Sequence, residues 1–98
     1  MVSHTAVFQP KEGVTEEQIQ GLFEEAHALV SVIPGLVSVI AGRQVRERSA
    51  DYSWGFTMIL DSKAALDAYY PHPAHRAFAE KFKCIADKIT DFDIAEDL

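Results

Sequence analysis

The chain has 98 residues, enough for one domain with a hydrophobic core but too few for two independent ones. Its 48% hydrophobic and 24% charged residues are typical of a globular protein, and no apolar run approaches the roughly 20 residues that span a bilayer. The net charge of −6 opposes the phosphate neutralisation that nucleic-acid binding requires. We therefore expect a soluble single domain over residues 1–98, with neither a membrane nor a nucleic acid as its partner.

The N-terminal residues and the cysteine content predict the compartment. Residues 1–5 lack the basic stretch and the apolar segment that mark a secretory signal. The single cysteine, Cys84, excludes a disulfide within the chain and a cysteine-based metal cluster. A cytoplasmic protein is the expectation.

The first half of the chain predicts a strand, a helix and a second strand. Residues 2–8 alternate like a half-buried strand, with one apolar face that also carries a histidine. That face consists of Val2, His4, Ala6 and Phe8. Thr15 and Gln18 form a capping box, and apolar residues then recur at helical spacing until Pro34. Residues 36–41 are continuously apolar and β-branched, which predicts a strand covered on both faces.

The second half predicts a strand, a broken helix and a last strand. Residues 52–60 alternate again, and Ser62 is a suitable cap for a short helix. Pro71-His72-Pro73 interrupts that helix and allows a restart with Pro73 in the first turn. The restarted helix has a predicted stripe made of His75, Phe78, Phe82, Ile85 and Ile89. Residues 90–94 predict the last strand.

The order β-α-β-β-α-β predicts the ferredoxin-like fold, an α+β architecture with a four-stranded antiparallel sheet. Helices cover one face of such a sheet and leave the other face open. The predicted open face is apolar, because the second strand is apolar throughout and Ile59 of the third strand faces outward. We therefore expect a homodimer that forms through the sheet faces.

Polar groups at positions suited to core residues identify a candidate site. His75 lies in the first turn after Pro73, where free backbone amides and the helix dipole disfavour a positive charge, so a neutral imidazole is expected. A neutral imidazole can accept a proton, and Tyr69 precedes the break where its hydroxyl can reach the same cavity. The predicted substrate-binding residues are His4, Phe23, Trp54 and Phe56. The alternative is that these residues are satisfied core residues, with His75 bonded to a backbone carbonyl.

No motif in the sequence predicts a metal or cofactor site. His72 is expected to cap a helix and His27 to lie on the surface, and no histidine spacing matches a standard zinc motif. A phosphate loop, a dinucleotide fingerprint and an activated-serine motif are all missing from the sequence. Any catalysis is therefore expected to need no cofactor.

Three segments of the sequence resemble the stress-responsive dimeric α/β-barrel family, called Dabb. They are His4-Thr-Ala-Val-Phe, Ile33-Pro34-Gly35 and Tyr69-Tyr-Pro-His-Pro-Ala-His75, of which the His-Pro-Ala-His element is the most specific. The likeness extends over residues 2–94. It implies that two ferredoxin-like subunits join their sheets into a barrel-like dimer.

The resemblance also implies functions for individual residues. The family includes plant stress proteins and a plant polyketide cyclase that closes a ring by an aldol reaction without a cofactor. The catalytic histidine of that cyclase matches His75, and two other pocket residues match His4 and Tyr69. Two further pocket residues of the cyclase, a tyrosine and a histidine, are replaced here by Ala26 and Trp54.

Two functions follow as hypotheses. In the first, the protein binds an aromatic or polyketide-like molecule, and His75 supplies cofactor-free acid–base chemistry of a cyclase or lyase. In the second, it is a non-catalytic stress-response or scaffolding dimer whose cavity is filled by side chains.

Overall fold

A computed structural model describes residues 1–46 and 51–96. The predicted order of elements is confirmed, with the second helix divided into two. The elements are β1 (Val2–Pro10), α1 (Glu16–Ala28), a 3-10 turn (Leu29–Ser31), β2 (Leu36–Arg43), β3 (Trp54–Leu60), α2 (Lys63–Tyr69), α3 (Pro73–Ile85) and β4 (Ala86–Ala95). Residues 47–50, which lie between the predicted second and third strands, are outside the described residues.

The four strands form one antiparallel sheet in the order β2-β3-β1-β4. This is the ferredoxin-like arrangement, with the helices on one face of the sheet. The alternation predicted for β1 and β3 is confirmed, because the side chains that face the helices are buried. They are Val2, His4, Ala6 and Phe8 of β1, and Trp54, Phe56, Met58 and Leu60 of β3. The other face of the sheet has no covering layer among the described residues.

Local signals fix the helix boundaries as the sequence predicts. Thr15 and Gln18 form the capping box of α1, and the hydroxyl of Ser62 accepts a hydrogen bond from the amide of Ala65 in α2. Gly35 follows the first helical segment with a φ of +84°, and a Cβ there would lie 2.5 Å from the Cβ of Ala65. Only glycine fits this close approach between the start of β2 and α2.

Two details of the helical segments differ from the sequence-based prediction. The segment after α1 tightens into a 3-10 turn at Leu29, which leaves Val30 exposed rather than on the buried stripe. Helix α3 ends at Ile85 because Ala86 is already extended, so Ile89 belongs to β4 and not to the helical stripe.

No described helix is long and apolar enough to cross a bilayer.

Within the single chain, the described residues cover β2 on one face only, whereas the sequence predicts a strand covered on both faces for residues 36–41. It is an edge strand, and a register irregularity between Leu36 and Ser38 interrupts its pairing with β3. As a result Leu36 and Val39 are both buried although they are three residues apart, while Ile40 remains 69% exposed. In the single chain, the outer face of this apolar segment, which includes Ile40, is exposed to solvent.

Candidate active site

A cavity of about 280 Å³ opens between α3 and the strands β1 and β4. Its polar end is formed by two histidines and two tyrosines, and its middle is apolar and aromatic. The lining residues are His4, Ala6, Phe56, Tyr69, Tyr70, His75, Phe78, Ala79, Phe82, Lys83, Ile89 and Asp91. The cavity therefore combines an apolar wall with a few convergent polar groups, which is the usual composition of a small-molecule site.

His75 is held in one orientation by the break between α2 and α3. His72 caps α3 by accepting a hydrogen bond from the amide of Ala74, as the sequence predicts, and Pro73 starts the helix. The ring of His75 then points its Nδ1 at the carbonyl oxygen of Tyr70, 2.9 Å away. Because a carbonyl can only accept, Nδ1 carries the hydrogen. Nε2 then has a free lone pair, and no hydrogen bond among the described residues engages it.

The environment of His75 favours the neutral imidazole. Burial is the largest cause that lowers its pKa, and the nearby His4, His72 and Lys83 lower it further. The hydrogen bond to the Tyr70 carbonyl acts in the opposite direction. Burial is thus the main cause of the lowered pKa of His75. A neutral imidazole of this tautomer accepts a proton at Nε2.

Tyr69 places a buried hydroxyl next to His75. Its side chain is fully buried, its ring centroid lies 4.3 Å from that of His75, and its hydroxyl has no hydrogen-bond partner among the described residues. Burial, with a smaller contribution from Asp93, raises the pKa of Tyr69 above its ordinary value of 10.0. The hydroxyl therefore stays protonated and remains available as a donor.

Tyr69→Phe should raise the free energy of unfolding by up to about 1 kcal/mol, because it removes a buried polar group without a partner. The matched variant is Tyr70→Phe, which removes a hydroxyl that is bonded to Asp93 and should lower the same quantity by about 1 kcal/mol. Urea denaturation of both variants measures the difference. A loss of stability in Tyr69→Phe would show that its hydroxyl is satisfied in the folded protein.

A network of His4, Asp93 and Tyr70 closes the polar end of the cavity. Asp93 Oδ1 lies 2.5 Å from His4 Nδ1, and the hydroxyl of Tyr70 donates to Asp93 Oδ2 at 2.6 Å. The same hydroxyl is 3.2 Å from His4 Nδ1. A carboxylate at this position fixes the hydrogen on Nδ1 of His4 and holds its ring in place.

Tyr70 and Asp93 are not among the residues that the sequence predicts for the site. Tyr70 is the direct neighbour of Tyr69 at the C-cap of α2, and its side chain lines the cavity and donates to Asp93. Asp93 faces the site because it pairs opposite His4 in the β1–β4 register. The acidic residues at alternate positions of β4 are the sequence signal that could have indicated it.

The structure brings together four of the six predicted site residues, His4, Phe56, Tyr69 and His75. Phe23 and Trp54 are not in the described lining of this cavity, whereas the sequence-based expectation places all six residues in one cavity. Their rings pack against each other with centroids 6.1 Å apart, and Arg43 stacks over Trp54. They lie where α1 covers the start of β3, away from His75.

Two further features of the described residues bear on the site. A larger depression of about 420 Å³ lies against β1, β2 and β3, beside outward-facing residues such as Thr5 and Ile40, but its described lining has no histidine or carboxylate. Within the described ranges, no group of three His, Cys, Asp or Glu side chains could hold a metal ion. The cavity at His75 is therefore the candidate active site.

Two curated relatives match nearly the whole chain. Olivetolic acid cyclase from Cannabis sativa is 29% identical over 96 residues, which cover 94% of this chain and 93% of the relative. The stress-response A/B barrel domain-containing protein HS1 from Arabidopsis thaliana is 31% identical over 94 residues, with 94% of this chain and 86% of that protein covered.

Solved structures give the same fold. An Arabidopsis thaliana protein superposes with a TM-score of 0.90 at 30% identity, covering 97% of this chain and 94% of the other. A dimeric ferredoxin-like protein from Jannaschia has a TM-score of 0.84 at 25% identity, with 96% and 97% covered. Hydroxynitrile lyase from Passiflora edulis has a TM-score of 0.86 with 97% and 94% covered, but at 19% identity this likeness shows the fold alone.

The family model for the stress-responsive A/B barrel domain, Dabb, matches residues 2–96. The match covers His4, the segment from Tyr69 to His75 and all four strands. Together with the relatives, it shows that the chain belongs to the stress-responsive A/B barrel (Dabb) family.

Proposed function

We propose that the protein binds a small aromatic or polyketide-like molecule in the cavity at His75 and catalyses cofactor-free acid–base chemistry of the cyclase or lyase type. The observation that carries this proposal is the hydrogen bond from Nδ1 of His75 to the Tyr70 carbonyl. It leaves Nε2 as a free base beside an apolar cavity. The similarity to a cyclase over nearly the whole chain supports the same class of chemistry.

The proposed step is a reversible proton transfer. Nε2 of His75 accepts a proton from a hydroxyl or an activated C–H group of the bound molecule. The electron pair of the broken bond stays on the substrate as an alkoxide or enolate, and the hydroxyl of Tyr69 donates a hydrogen bond to that oxyanion. In a cyclisation, the enolate forms a carbon–carbon bond to a carbonyl carbon of the same molecule, the π electrons of that carbonyl move to its oxygen, and this oxygen takes the proton back from Nε2. In a lyase reaction, the alkoxide becomes a carbonyl as the carbon–carbon bond breaks, and the carbon leaving group keeps the electron pair of that bond and takes the proton from Nε2.

The remaining residues of the cavity orient the substrate in this proposal. Asp93 and Tyr70 hold the ring of His4, so His4 is a rigid wall or a hydrogen-bonding partner rather than a second mobile base. Phe56 supplies an aromatic face next to His4, with ring centroids 6.4 Å apart. Such a surface suits a flat, apolar substrate.

Filling the cavity should abolish ligand binding and turnover. Ala79 lines the cavity and Ala77 lies on the exposed side of the same helix, so Ala79→Trp and Ala77→Trp form a matched pair. A panel of aromatic hydroxynitriles and linear polyketide thioesters is screened for turnover, and saturation-transfer NMR records binding. We expect wild type and Ala77→Trp to bind and convert the same compounds and Ala79→Trp to do neither. Equal activity in Ala79→Trp would place the site elsewhere.

We also propose that two copies of the chain associate through their sheets. The open face carries two rows of outward side chains, Ile40–Thr57–Thr5–Phe92 and Ser38–Ile59–Ser3–Ile94. Ile40, Phe92 and Ile94 are 69%, 68% and 53% exposed in the single chain. A second copy would remove this apolar surface from water. The solved relative from Jannaschia is described as dimeric, which supports the proposal.

A non-catalytic stress-response or scaffolding dimer is the second candidate. The observation that favours it is that His4 is already satisfied by Asp93 and Tyr70, as a structural histidine would be. The likeness to HS1 is consistent with such a function. In that case the sheet-to-sheet dimer would form, but no member of the panel would be converted.

A further inference from the structure

The cavity has two chemically different ends along α3. His75, Ala79 and Lys83 follow one another at intervals of four residues and all line the cavity. Eight residues of α-helix rise about 12 Å, so His75 and Lys83 are separated by two turns of α3. The histidine end holds the neutral imidazole and the hydroxyl of Tyr69, while the other end holds an ammonium group.

Aromatic and aliphatic side chains occupy the space between these ends. Phe56 and Phe78 meet edge to face with ring centroids 5.5 Å apart, and Phe82 continues the same wall. Ile89 of β4 faces this wall and is 40% exposed. A bound molecule would therefore have an apolar or aromatic middle.

Lys83 has a free charge in the part of the chain that the structure describes. Lys81, two residues earlier on α3, pairs with Glu25, and Lys63 pairs with Asp67 at 2.9 Å. No ion pair or hydrogen bond engages Lys83 within residues 1–46 and 51–96. An unpaired ammonium on the rim of a cavity, in a chain of net charge −6, is suited to an anionic ligand.

Two carboxylates face the same region and limit this attraction. Asp93 is engaged by His4 and Tyr70, at the histidine end. Asp91 lines the cavity from β4, opposite Ala6 and between Ile89 and Asp93 along the strand. A ligand anion is therefore disfavoured beside Asp91 and Asp93 and favoured at Lys83.

We propose that Lys83 binds the acidic group of the ligand, and that the ligand class is an elongated apolar or aromatic carboxylate. Its reactive oxygen would lie at His75 and Tyr69, and its carboxylate at Lys83. This inference rests on the proposed function of the cavity. Lys83 would then determine specificity, although it lies outside the His-Pro-Ala-His element that contains His75.

The test compares two probes of the same shape, 2-naphthoate and the neutral 2-naphthamide, by isothermal titration calorimetry. Wild type should bind the carboxylate about 2- to 5-fold more tightly than the amide, the range expected of an exposed, partly screened ion pair. Lys83→Met should remove this preference without changing the affinity for the amide. Lys81→Met is the matched control on the same helix and should keep the preference, as should the conservative Lys83→Arg.

Two further measurements separate a charge effect from a structural one. Asp91→Asn removes the opposing carboxylate and should strengthen naphthoate binding, the opposite sign to Lys83→Met. Raising the salt concentration should weaken naphthoate binding to wild type but not to Lys83→Met. Equal affinity of wild type for both probes, or a preference that survives in Lys83→Met, would overturn the inference about Lys83 and leave the proposed cavity intact. If neither probe binds wild type, the inference about Lys83 fails, and the proposed cavity function fails as well if no member of the compound panel binds.

Discussion

Replacing His75 with alanine should lower the turnover number of any substrate found for this protein by about 100- to 10,000-fold, the usual contribution of a positioned general base. The structure fixes the tautomer of this imidazole, with Nδ1 bound to the Tyr70 carbonyl and Nε2 free to accept a proton. The measurement is kcat at saturating substrate, together with a thermal melt to show that the variant folds. His27→Ala is the matched control, because His27 is exposed on α1 as the sequence predicts, and it should keep wild-type activity.

The pH dependence provides a second readout of the same histidine. The pKa of His75 is lowered from 6.5, chiefly by burial, and the positively charged forms of His4, His72 and Lys83 act in the same direction. The acid limb of kcat/KM against pH, which reports the free enzyme, should therefore lie below 6.5, since the base stays neutral until that lower pKa is reached. An acid limb at or above 6.5, or activity that survives in His75→Ala, would contradict the assignment of His75 as the base.

Protein stability should respond to the same titration. Near its ordinary pKa, unfolded His75 binds more protons than the folded form does. His75 therefore contributes a free energy of unfolding that falls as the pH drops from about 6.5 toward the folded pKa. His75→Ala should flatten this part of the stability curve.

The sequence predicts those features that depend on local periodicity. Residues of β1 and β3 alternate so regularly that His4 and Phe56 could be assigned to the inner face of the sheet, and the two prolines around His72 mark the restart of α3. Together with the family resemblance, these local patterns place His75 and Tyr69 at one site. Periodicity is sufficient here because each side chain's direction follows from its own strand or helix.

The features that the sequence does not predict depend on pairing between distant segments. Asp93 becomes part of the site only through its register opposite His4, 89 residues away. The register irregularity in β2 changes which of its residues face inward. No residue type in that segment indicates the irregularity. Trp54 shares a strand face with Phe56, yet the position of α1 over the start of β3 removes it from the cavity.

Phe92→Glu should convert the proposed dimer into a monomer. Phe92 lies on the outer face of β4, opposite Thr5 in the register, and 68% of its surface is exposed in the single chain. A buried interface aromatic is worth about 2 kcal/mol or more, and each dimer carries the substitution twice. The dissociation constant should therefore rise by roughly 1000-fold, since every 1.4 kcal/mol is tenfold.

Sedimentation velocity over a range of protein concentrations measures this change. Val30→Glu is the matched control, because Val30 is also an exposed apolar residue but lies after α1, on the helical side of the sheet. That variant should remain dimeric. If the cavity lies wholly within one subunit, the Phe92→Glu monomer should still bind naphthoate. A wild-type protein that stays monomeric at micromolar concentration would refute the sheet-to-sheet dimer, whereas a monomer that loses binding would show that the second copy completes the site.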